Sequence, residues 1–156
     1  MAKTVYFCAG WFSDKQQEAY DKSMEAIKAN PTVDVTNSYI PLQHQYKGLR
    51  VDEHPELLKD KEWANATYKG DCVGVATSDV CLVTYIPEEE DVGVGVELGM
   101  AEALGKYILI VIPGEDWGKP INLMTYGIAH NFIKQSELSK FDFNKPTFNY
   151  YEGAVY

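Results

Sequence analysis

Three short apolar runs rich in β-branched and aromatic residues constrain this chain more than any other feature: residues 4–9 (TVYFCA), 80–86 (VCLVTYI) and 107–112 (YILIVI). Each is too short for a helix, and Gly10, Pro87 and Pro113 close them. Continuous apolar runs of this length suit strands buried on both faces. Helical signals separate them. Ser13, with Gln16 three residues on, forms a capping box for a helix carried by Ala19, Met24, Ala26 and Ile27 to Asn30 and Pro31. Pro55 suits the first turn of a helix running through Leu57, Leu58, Trp63, Ala64, Ala66 and Tyr68 toward Val75, and Asp91 caps a third among glycines. This alternation predicts a single-domain α/β fold, doubly wound and flavodoxin- or Rossmann-like, with a mostly parallel sheet of about five strands. Residues 33–35 and 39–42 supply another strand around Asn37 and Ser38, and Phe132 with Ile133 an edge strand. A short helix is expected over residues 122–129, and the aromatic tail from residue 141 must dock.

Length and charge narrow the function. A chain of 156 residues with 46% hydrophobic content supports one domain with one sizeable core. A formal charge of −9 and a single arginine, Arg50, argue against a nucleic acid polymer as partner, since such binding rests on neutralising phosphates. The partner is expected to be small and not highly anionic. Three cysteines without CxxC spacing point to reduced thiols in the cytoplasm. The apolar run before Gly10 is too short for a signal peptide or a membrane span, so no membrane is expected.

One carboxylate stands out. Glu97 sits about two turns into the third helix, where its neighbours three and four residues away are Gly93, Val94, Met100 and Ala101, none of them cationic. It is either a core-edge acid satisfied by a distant lysine or backbone amide, or a nucleophile or general base at a cleft. In parallel sheets ligands bind beyond the carboxyl ends of the strands, which would gather Gly10, Trp11 and Phe12, the polar loop from Gln43 to Arg50 and the acidic residues 88–91. Trp11 and Phe12 either stack on a planar ligand or pin the first loop. The glycines do not make a phosphate site. Their spacing is GxGxxxG, and four acidic residues precede them. His44, His54 and His130 lack metal-ligand spacing, so no metal is expected, and Cys8 reads as small core filler without a base beside it.

Longer motifs carry a resemblance. YFCAGWF at residues 6–12, PLQHQYKGLRVDEHPE at 41–56, EEDVGVGVELGMAEALGKY at 89–107, GKPINLM at 118–124 and the terminal YYEGAVY closely resemble the nucleoside 2-deoxyribosyltransferases of lactic acid bacteria, in the broad-specificity form. The resemblance covers essentially the whole chain. It implies cofactor-free transfer of 2-deoxyribose between purine or pyrimidine bases, with 2'-deoxynucleosides and free nucleobases as partners. Glu97 would be the nucleophile, Asp71 and Asp91 the base-side carboxylates, and Tyr6 the tyrosine that orients the nucleophile. Gln45 would contact the base. Asn122 and Met124 would come from a neighbouring subunit, and the Tyr156 carboxylate would close the site. The family's hexamers built from dimers imply a homo-oligomer here. Cys8 is a departure, since family members usually carry glycine at that position next to the substrate, and sugar or base tolerance is the property the bulkier thiol bears on.

The residue types suit such chemistry. Breaking an N-glycosidic bond builds positive charge on the sugar, which an ionised carboxylate stabilises and captures as a covalent ester, while a second carboxyl protonates the departing base. Two displacements retain configuration. Exclusion of water by the 43–55 loop and the aromatic tail would favour transfer over hydrolysis. Two other classes use the same features: a hydrolase of nucleosides or nucleotides, and a non-catalytic nucleoside-binding module in which Glu97 is dispensable.

Overall fold

The apolar runs become adjacent parallel strands in the computed structural model, which describes residues 1–156. Strand β1 spans Val5–Ala9, β2 Val80–Thr84, β3 Tyr107–Ile112 and β4 Asn131–Lys134, in the order β1-β2-β3-β4. Every neighbouring pair is parallel, with Tyr6 opposite Cys81 and Cys8 opposite Val83. Because side chains alternate along a strand, Tyr6, Cys8, Cys81, Val83, Ile108 and Ile110 share one face, and Val5, Phe7, Leu82, Leu109 and Val111 the other.

Both faces are covered, as a doubly wound sheet requires. Helix α1 (Asp14–Ala29), opened by the expected Ser13–Gln16 capping box, buries Met24 and Ile27 on the Phe7 face. On the Tyr6 face lie α2 (Lys61–Thr77), α3 (Val92–Ala103) and α4 (Leu123–Ile128), through Val75, Val94, Leu98, Ala101 and Ile128. No helix is long and apolar enough to cross a membrane.

The sheet has four strands where about five are expected. The stretch at 33–42 forms isolated bridges rather than a ladder, Val33 with Lys3 just before β1 and Tyr39 with Tyr6 on it. Local hydrogen bonds compete with the ladder there. Asp34 caps a single 3-10 turn at Val35–Asn37, the Ser38 hydroxyl takes the Val5 N–H at 2.9 Å, and Pro41 opens a second turn without an N–H to give. Tyr39 still exchanges backbone bonds of 2.9 Å with Val5 and Phe7, so the segment tracks the edge of β1. Counted as a vestigial strand, it gives the flavodoxin order 2-1-3-4-5.

The helix expected from Pro55 is also divided. A 3-10 turn at Pro55–Lys59 stops at Asp60, whose carboxylate accepts the Trp63 N–H at 3.0 Å and starts α2 afresh. Before it, the 43–55 loop is fastened down: Gln45 Oε1 accepts the Val51 N–H at 2.8 Å, and Trp63 Nε1 donates to the Leu49 carbonyl at 3.0 Å. The tail docks as its aromatic content predicts. Phe143 and Tyr151 are buried, and the Tyr151 hydroxyl donates to the Lys119 carbonyl at 2.8 Å.

Candidate active site

Glu97 points from α3 onto β1. The Tyr6 hydroxyl donates to its Oε1 at 2.6 Å, and the Cys8 thiol donates to its Oε2 at 2.7 Å. Neither partner expected of a merely structural acid, a lysine or a backbone amide, is present. Burial pushes the Glu97 carboxyl up, Cys8 and Tyr6 oppose that by donating to its charged form, and the charges of Asp71 and Asp91 push it up further. Burial first, then the facing Glu97 charge, holds the Tyr6 hydroxyl far above its usual range, so it stays a donor.

A cavity of about 290 Å³ opens onto Glu97, and Asp71, Asp91, Gln45, Trp11 and Phe12 line it too. It contains no lysine or arginine. Asp91 combines two tasks, since its Oδ1 caps α3 by accepting the Val94 N–H at 3.0 Å while the residue sits on the cavity wall. Gln45 has its Oε1 committed to Val51, which leaves the amide N–H groups as what it can offer a ligand. Trp11 and Phe12 stack with ring centroids 4.6 Å apart. Their backbone is held by the side chains of Gln16 and Gln17, so the rings themselves are not needed to pin the loop. Arg50 lines a neighbouring recess, where Asp52 engages it through Nε at 3.0 Å and Nη2 at 2.5 Å.

The cleft extends between α2 and α3 rather than ending at the carboxyl edge of the sheet, and so Asp71, well along α2, still reaches it. Tyr39, which sequence reasoning missed, makes that placement possible. A Cβ at Gly74 would lie 2.4 Å from the Tyr39 ring and one at Gly70 2.9 Å from its hydroxyl, so the two glycines form a slot in α2. The ring stacks on Tyr6 at 5.5 Å and on His44 at 4.4 Å. Two glycines four residues apart on one helix were the available signal. Burial raises the Asp71 carboxyl to about 6, with the Tyr39 hydrogen bond acting in the opposite direction.

Asn122, Met124 and Tyr156 form a second group away from this cavity. Asn122 Oδ1 caps α4 through the Met124 N–H at 2.8 Å, and the Tyr156 carbonyl accepts the Leu123 N–H at 2.8 Å. Asn122 and Met124 line an open groove with Val92 and Val96, adjoining the main cavity through Asp91. No three His, Cys, Asp or Glu side chains converge as metal ligands would.

Residues 5–124 match the family described as Nucleoside 2-deoxyribosyltransferase. The chain is 62% identical over 154 residues to the nucleoside deoxyribosyltransferase of Lactobacillus leichmannii, covering 99% of this chain and 98% of that one. It is also 62% identical over 148 residues to that of Lactobacillus johnsonii, covering 95% and 99%. A solved 2-deoxyribosyltransferase from Bacillus psychrosaccharolyticus superposes with a TM-score of 0.78 at 19% identity, covering 95% of this chain and 98% of that chain, a likeness of fold.

Proposed function

This chain belongs to the nucleoside 2-deoxyribosyltransferase family, a family of transferases acting on deoxynucleosides and bases, and we propose that it exchanges purine and pyrimidine bases through a covalent deoxyribosyl-Glu97 ester. The observation that carries this reading is the Glu97 carboxylate, fixed by Tyr6 at 2.6 Å on a cavity that two further carboxylates share and no cation enters.

In the first displacement a Glu97 oxygen attacks the anomeric carbon of a 2'-deoxynucleoside, and the N-glycosidic bond breaks toward the base. The bond's electron pair goes to the base nitrogen, which takes a proton from Asp71 or Asp91. Asp71, with a carboxyl raised to about 6, is suited to carrying that proton near neutral pH. In the second displacement the incoming base loses its N–H proton to the same carboxylate and attacks the anomeric carbon, and Glu97 departs ionised. Two inversions give net retention. Gln45 offers N–H donors to either base, and the Trp11–Phe12 stack a planar surface at the mouth.

The absence of a lysine or arginine from the cavity favours nucleosides over nucleotides, because a phosphate would find no counter-charge. A second copy of the chain completes the site. The group of Asn122, Met124 and Tyr156 lies outside the cavity of its own protomer, on a surface where Val92, Val96, Leu123 and Met124 are exposed, and a symmetric assembly, a hexamer of three dimers, would bring it to a neighbour's cavity. Such an enzyme needs no cofactor and works in the cytoplasm.

Rapid-quench mass spectrometry of the protein mixed with a 2'-deoxynucleoside tests the reading. A deoxyribosyl adduct on the peptide containing Glu97 is expected. Base exchange with no adduct at any quench time would establish direct displacement instead.

A further inference from the structure

Cys8 has no part in the two displacements, yet it touches the group that performs them. Its Sγ lies 2.7 Å from Glu97 Oε2, it is completely buried, and it does not line the cavity. Tyr6 and Cys8 are two residues apart on β1, so both side chains leave the same face of the sheet. One takes Oε1 and the other Oε2. A carboxylate that accepts at both oxygens from one strand is restrained in its plane, whereas a single donor would leave its terminal bond freer to rotate.

We propose that Cys8 is a positioning residue for the transfer reaction, its thiol fixing the plane of the Glu97 carboxylate together with Tyr6 so that a free lone pair faces the cavity. This rests on Glu97 being the nucleophile. The thiol is a donor because burial, contact with Cys81 and the Glu97 charge all push its ionisation upward. S–H is also a weak donor, so it orients the oxygen while withdrawing little of the electron density needed for attack. The groups facing Glu97 are Tyr6 and Cys8 from β1, Asp71 from α2 and Asp91 from the start of α3, with Cys81 on β2 behind Cys8 and Tyr39 stacked behind Tyr6. Of these only Tyr6 and Cys8 hydrogen-bond to it.

The test compares Cys8→Ala with Cys8→Ser. Removing the thiol donor raises the Glu97 carboxyl, so the acid limb of kcat/KM moves to higher pH in Cys8→Ala. At a fixed pH on that limb the loss is roughly three- to ten-fold. Cys8→Ser restores a donor, and the limb returns to or below its original position. A Cys8 that only filled space would leave the limb unmoved, and serine would not restore it. Infrared titration of the carboxyl band that Glu97→Gln abolishes reads the same ionisation without turnover. If both the band and the limb move in Cys8→Ala, the proposal stands. If neither moves, it is overturned while Glu97 keeps its role. If the band moves and the limb does not, the proposal falls because Glu97 is not the group whose ionisation governs the reaction. Should the alanine variant not fold, Cys8→Val takes its place, filling the thiol's space without a donor: a limb at higher pH than in the parent supports the proposal, and an unmoved limb overturns it.

Discussion

The Tyr39 hydroxyl lies 3.3 Å from Asp71 Oδ1, and the ring beneath it stacks against Tyr6, the residue that holds Glu97. One aromatic side chain thus lies between Asp71, to which the proposed mechanism gives the base, and the Tyr6–Glu97 pair, to which it gives the sugar. Tyr39→Phe keeps the stack and removes the donor that favours ionised Asp71. The Asp71 carboxyl then rises above about 6, and the basic limb of the pH–rate profile moves to higher pH with the fold intact. Profiles of kcat/KM for the two proteins measure this, and superimposable limbs would remove Tyr39 from any role in tuning Asp71.

Gly74 makes room for that ring. Gly74→Ala places a methyl group 2.4 Å from Tyr39, and the overpacking should destabilise the protein by about 1–3 kcal/mol. Urea denaturation reads it directly. A neutral or stabilising alanine would mean that α2 and the Tyr39 segment separate easily.

Asp71 should also mark the pH dependence of stability. Its carboxyl is raised from 3.8 to about 6 by burial, so the folded state holds that proton more tightly than the unfolded chain. Stability from this group is full below 3.8 and is lost as pH rises through about 6. Asp71→Asn should therefore raise the Tm above that window, with the gain vanishing at its acid end. A gain independent of pH would come from another source.

Glu97→Gln preserves the size and shape of the side chain but leaves one oxygen to accept from Tyr6 or Cys8 and no anion to capture the sugar. Base exchange should fall at least about a thousand-fold, as expected when a nucleophile is removed, with circular dichroism unchanged. Turnover within ten-fold of the parent enzyme would take the nucleophile role from Glu97.

Met124 is 77% exposed and Val92 85%, too much apolar surface to be left in water without a partner. Met124→Glu should put a charge into the proposed interface, shift the sedimentation coefficient toward a smaller species and lower exchange activity in parallel. A variant that dissociates and stays fully active would show that one protomer suffices.

The sequence by itself determined what is local. Strand periodicity, the Ser13 and Asp91 caps and the closing prolines depend on residues within a turn of one another, so β1 to β3, α1 and α3 are legible in order. The isolation of Glu97 from any helical cation was equally visible, and family motifs extended that reading to Asp71, Asp91 and Gln45. Tertiary structure decided what depends on competition and distance. Whether residues 33–42 pair as a strand turned on the Ser38 hydroxyl reaching Val5, a bond across 33 positions of sequence. Whether Asp71 reaches the cleft turned on two glycines that let Tyr39 sink into α2. Cys8 is the core filler its residue type suggests, and that it also touches the Glu97 carboxylate turned on how closely α3 packs on β1. Such separations follow from how whole elements pack, a property of the assembled core that no single stretch of chain encodes.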